Sequence, residues 1–248
     1  MTEAEARAIA RLRETNQMYA QAHPQLAAAD PVGRMVALLG TFGFLQAEGI
    51  ATLTETNEAF HLQVAELVRS LLEAWFQAAW IVAPDTEEAR LQRVIGLKSK
   101  GLAQHRDKLE YHEENLGPVE PAHWEELGVQ EEQVAELTNT HGIEPVPTVK
   151  NGMVALGQHE RYQAYRWDSD AVHASTTGLG HLVAGDGDMG YVGGPGDPGQ
   201  VLARLVMAWH TVGDLYELVA HALGFEMPKW AEKRQAAHDE LLALFAEV

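Results

Sequence analysis

Helix-length runs, opened by capping residues and closed by proline or glycine, limit what this chain can fold into. From Thr2 to about Ala22, small apolar and charged residues recur at helical spacing, and Pro24 ends the run. Asp30–Pro31 pairs an N-cap with proline at the first helical position and opens a helix to about Ala47. Met35, Leu38, Leu39, Phe42 and Leu45 are its expected core residues. Gly49 and the run Thr52 to Thr56 mark a break, after which a helix near 54–83 is stopped by Pro84. Asp85–Thr86–Glu87–Glu88 is a strong helix start, and that helix can continue to Asn115. A strongly apolar helix over Val201–Leu223 ends at Gly224, and Pro228 opens a last amphipathic one. The expected fold class is all-α, a helical bundle.

Two stretches resist a helical reading. Prolines 118, 121, 145 and 147 and the pair Asn151–Gly152 punctuate 117–151, which reads as a long irregular connection with one short helix near Gln130–Thr138. Residues 178–199 are glycine-rich and predict a loop with a small hairpin. With 248 residues and no repeat, the expectation is a single all-helical domain over 1–248, in which the helices of 1–50 can form an appended arm.

Composition narrows the function classes. With 18 basic against 36 acidic residues, the formal charge of −18 disfavours broad binding to a phosphate backbone and leaves room for a local basic pocket. The absence of cysteine excludes disulfides, thiolate ligands and a cysteine nucleophile. The N-terminal residues mix acid and base without the apolar centre of a signal peptide, and no apolar run is judged able to span a bilayer. A cytoplasmic protein that uses no membrane is expected. Histidine, present 12 times, raises the prospect of acid–base or metal chemistry.

The richest stretch is RYQAYRWDSDAVHASTT, Arg161–Thr177. As a helix it sets Tyr162, Arg166, Ser169 and His173 at i, i+4, i+7 and i+11, one stripe of groups that need partners when buried. On the helix near 54–83, Glu66, Arg69, Glu73 and Trp80 share a face. Arg69 and Glu73 can pair with each other, or Glu73 can meet Arg166 or His173 across a helix interface. A carboxylate beside His173 would hold one tautomer and raise its basicity. The plainer alternative is a polar network that fixes helix register.

The marks R-x3-E (Arg69, Glu73) and Y-x6-S-x3-H (Tyr162, Ser169, His173) resemble those of an uncharacterised family of bacterial all-helical proteins, over roughly residues 57–177. The spacing Arg166-x6-His173 also resembles the motif of the HEPN superfamily of helical ribonuclease and nucleotide-binding domains. That likeness implies metal-independent RNA cleavage at a dimer cleft, without a cofactor. Histidine would move the proton and arginine would steady the phosphorane's charge. RNA or a nucleotide would be the partner, and the working form a homodimer.

A second stripe lies on the helix from Val201, where His210, Asp214, Glu217 and His221 follow at i, i+4, i+7 and i+11. Imidazole and carboxylate one turn apart can hold a transition metal, so a metal-dependent helical-bundle enzyme is the third class beside the ribonuclease and a non-catalytic interaction module. The plain alternative for this stripe is the solvated face of an amphipathic helix.

Overall fold

The structure is a computed structural model that describes residues 1–22, 30–56, 61–172, 198–227 and 229–245. Those residues form helices α1 (Glu3–Ala22), α2 (Pro31–Thr56), α3 (His61–Val82), α4 (Glu87–Asn115), α5 (Pro121–His141), α6 (Val149–Ala155), α7 (His159–Val172), α8 (Pro198–Leu223) and α9 (Trp230–Leu244), with no strand among them. The chain is all-α. The glycine-rich stretch 178–197 and His173 lie outside the described residues.

The ends follow the capping chemistry. Thr2 and Glu5 form a reciprocal capping box, with Thr2 N–H donating to the Glu5 carboxylate at 2.6 Å and Glu5 N–H to the Thr2 hydroxyl at 3.1 Å. Asp30 accepts from Gly33 N–H at 2.8 Å, and Thr86 from Ala89 N–H at 3.3 Å. Gly224, at φ 69°, takes the left-handed conformation that closes α8.

The core is built on α2, α3 and α8, with α1 laid along α8 and α2 and with α7 laid on α3. Leu71, Leu72, Phe76, Ile81, Leu202, Leu205 and Leu215 are fully buried there, each worth about 1.5–3 kcal/mol of apolar transfer. The α4–α5 hairpin packs mainly on itself and leaves most of α5 in water. Its base is pinned by Arg93, which donates to Trp80 O at 2.6 Å and to Glu144 at 2.9 Å.

Three sequence expectations change here. First, α2 does not break near Gly49 but continues to Thr56, because Thr54 and Thr56 donate back to the carbonyls of Ile50 and Thr52 and stay inside the helix. Second, 117–151 holds a helix of 21 residues, α5, for which Pro121 is the opening residue and not a breaker. Third, α2 is turned the other way. Its buried face interleaves small residues, Gly33, Ala37, Gly40, Gly43, Ala47 and Ala51, with Val36, Phe44 and Ile50. Leu38, Phe42 and Leu45, expected in the core, are 55%, 46% and 67% exposed, while Met35 and Leu39 are partly buried. The reason is the close approach of α8. A Cβ on Gly40 would lie 2.6 Å from Val219 Cγ2, and one on Gly43 2.3 Å from Leu215 Cδ2. Only glycine at these two positions admits α8 at that distance. By length and composition α2 could also cross a membrane, contrary to the expectation from sequence; in the bundle 44% of that window is buried.

Candidate functional site

Helix α7 is polar, and its wheel explains what it touches. At roughly 100° per residue, Arg161, Tyr165 and Asp168 form its inner edge, while Tyr162, Arg166 and Ser169 lie on the flank. The stripe singled out from sequence is this flank, displaced by one residue from the face that packs.

The inner edge is held by charge. The Arg161 guanidinium sits 4.0 Å from the centre of the Trp75 ring on α3 and is ion-paired to Asp214 on α8. Arg234 of α9 takes the other oxygen of Asp214 and also bonds Glu217, which accepts from the Trp230 indole N–H at 2.7 Å. Ion pairs thereby join α7, α8 and α9, and the Trp75 ring under Arg161 adds α3. The Arg161 side chain is only 13% exposed, and its Nη1 has no hydrogen-bond partner among the described residues. Lower on the same edge, Arg204 of α8 donates to Asp168 at 2.9 Å. Asp168 is 5% exposed; burial pushes its carboxyl up, and Arg204 pulls it back toward the ionised form.

His210 belongs to the same neighbourhood. Its Nε2 lies 3.2 Å from His238 Nδ1. Burial first, then the nearby His238 and Arg234, push its pKa down to about 4, with Asp214 acting in the opposite sense. His210 is therefore neutral at pH 7 and can donate to or accept from the His238 ring, according to tautomer. A cavity of about 170 Å³ opens beside it between Trp209, Trp230, Arg234 and Arg11.

The outer flank is different. Arg69 Nε donates to the Tyr165 hydroxyl at 3.4 Å, and its Nη1 lies 3.6 Å from Glu66. Glu73 forms no ion pair with Arg69 or Arg166 among the described residues and attracts Arg69 only through space. Tyr162 is partly buried against the core, Ser169 is half-buried, and Arg166 is exposed. Tyr165, not Tyr162, is thus the phenol that meets Arg69. Of the residues picked out for catalysis, the structure brings Arg69 to α7 and leaves Arg166 and Ser169 along the adjoining open flank.

The second stripe is dispersed. Asp214 and Glu217 are occupied by guanidinium groups, His210 faces His238, and His221 is exposed. Among the described residues no three metal-ligating side chains share a site. Nor is the stripe a solvated face, because Trp230 and Arg234 of α9 cover Asp214 and Glu217. Sequence reasoning missed Arg161, Asp168, Arg204, Arg234 and Trp75. One signal for the first two was available: opposite charges seven residues apart share a helix edge.

The class is thus an all-helical bundle in which a polar helix is clasped to an apolar core by ion pairs. The chain belongs to a family of unknown function (DUF5677), whose family model matches residues 35–190. That span runs from α2 through α7 and contains Arg69, Glu73, Tyr162, Arg166, Ser169 and His173. Searches of curated proteins and of solved structures each gave no match.

Proposed function

We propose that the α3–α7 seam handles RNA phosphodiesters without a metal, Arg166 stabilising charge and His173 moving the proton. The observation that supports this reading is the open flank of α7, where Arg166 is exposed beside the Arg69–Tyr165 contact. Arg69 and Arg166 bring two guanidinium groups to one seam on a chain of formal charge −18, although Glu66 and Glu73 lie near Arg69. In the reaction His173 accepts the proton of a ribose 2′-hydroxyl as that oxygen bonds to phosphorus. The P–O5′ bond breaks as protonated His173 passes that proton to the 5′-oxygen, which leaves as a hydroxyl. The products are a 2′,3′-cyclic phosphate and a 5′-hydroxyl end, with Arg166 opposing the charge on the non-bridging oxygens.

The test is incubation of labelled RNA with excess chelator, comparing wild type, His173→Ala and Arg166→Ala. Loss of an acid–base group lowers the rate by about 10²–10⁴-fold. Cleavage that needs added metal, or that survives unchanged in His173→Ala, overturns the reading.

A second reading has its own support. Ion pairs with Arg161 and Arg234 engage Asp214 and Glu217, two of the polar groups first singled out. A non-catalytic helical module that binds a protein partner or a second copy needs nothing more from them than helix register. No cleavage by well-folded wild type would favour it.

A further inference from the structure

We propose that the outward face of α2 is a self-association surface, on which a second copy of this chain packs its own α2 in antiparallel fashion about a two-fold axis near Thr41 and Phe42. The proposal stands independently of RNA cleavage. Leu38, Phe42 and Leu45 lie at i, i+4 and i+7 and are all exposed, the one place among the described residues where three large apolar side chains line up on a helix face. Their exposure follows from the rotation of α2: Gly40 and Gly43 meet Val219 and Leu215 of α8, Val36, Phe44 and Ile50 are buried, and Leu38, Phe42 and Leu45 lie on the opposite side.

The occupant follows from symmetry and charge. The stripe reads nearly the same from both ends, so reversing one helix sets Leu38 against Leu45 of the other copy and brings the two Phe42 rings together. An isologous contact has this property, residue i meeting j while j meets i. Beyond the apolar centre, Arg34 stands toward the N-terminal end of α2, and Glu48 and Glu55 stand toward the other. Among the described residues Arg34 has no ion pair, while Glu48 already shares Arg13 with Glu55. Antiparallel docking brings Arg34 of each copy to the Glu48 end of its mate, adding opposite charge at both rims. A parallel arrangement would oppose like charges. Three anchors and two rims are fewer than the roughly 20–30 residues a side of a standard interface, so the dimer should be weak and concentration-dependent.

The absence of cysteine gives a clean test. Helix axes about 8–10 Å apart place facing Cα atoms within about 6 Å, inside disulfide reach. Phe42→Cys under mild oxidation should therefore trap a covalent dimer, whereas Lys108→Cys on exposed α4 should not. Light scattering over a dilution series should move the wild type from the 27.2 kDa chain mass toward twice that value. Leu45→Glu should shift the midpoint at least about tenfold with an unchanged melting temperature. A wild type that stays monomeric at millimolar concentration overturns the proposal, including the case in which that monomer floats with phosphatidylcholine vesicles. A dimer indifferent to Leu45→Glu and untrapped by Phe42→Cys overturns it too, since the contact would then lie elsewhere.

Discussion

The two edges of α7 carry similar chemistry under different exposure. Facing α8, Arg161 and Asp168 are largely removed from water, and each meets an opposite charge on another helix. Toward α3 and solvent, Arg69 meets the Tyr165 hydroxyl at the boundary between the two edges, and Arg166 is exposed. A guanidinium out of water is tolerable only with a carboxylate and bonded neighbours, so the first edge is architecture. The second edge has groups that a ligand can reach. Identical residue types thus separate by burial into those that hold α7 and those that can act from it.

Asp214→Asn should break this contrast most severely. It leaves Arg161 and Arg234 without their shared carboxylate, and chemical denaturation should show a loss of about 3 kcal/mol. A loss under about 1 kcal/mol would place the network among ordinary surface pairs. Asp168→Asn should follow at about 2 kcal/mol by the same measurement, because a single charged hydrogen bond is lost there and burial already opposes the ionised carboxyl.

Acid should attack the buried edge next. The His210 pKa of about 4 lies below the ordinary imidazole value of 6.5, so as pH falls the unfolded chain takes the proton first. This contribution to stability is complete above pH 6.5 and is lost toward pH 4. Two and a half pH units correspond to about 3 kcal/mol, and partial exposure reduces that to about 1–2. His210→Gln should flatten this part of the stability–pH curve; an unchanged slope would show that another group is responsible. Arg166→Ala should be the mildest change, within about 0.5 kcal/mol in melting experiments, since the side chain is exposed.

The helices themselves were legible wherever apolar spacing and end signals agreed. Asp30–Pro31, Thr86 and Gly224 stand where their chemistry predicts. The orientation of α2 was not, because it carries large apolar residues on more than one side, and the close packing of Gly40 and Gly43 on α8 selects the side with Val36, Phe44 and Ile50. Helix α5 was hidden because it buries only Leu127 and so shows no apolar stripe. In α7, the stripe of Tyr162, Arg166 and Ser169 was legible as one helical face. Its partner face was misplaced by one residue, since a helix with few apolar residues gives no hydrophobic reference for which edge turns inward.

The central claim is that ion pairs clasp α7 to the bundle and hold its outer flank in place. Hydrogen exchange of the α7 amides in Asp214→Asn measures this most directly. The account predicts that exchange across His159–Val172 accelerates at least about tenfold while the fully buried segment of α3 around Leu72 and Phe76 keeps its protection. Protection of α7 equal to that of the wild type would contradict it and make the network an ornament of a helix held by packing alone.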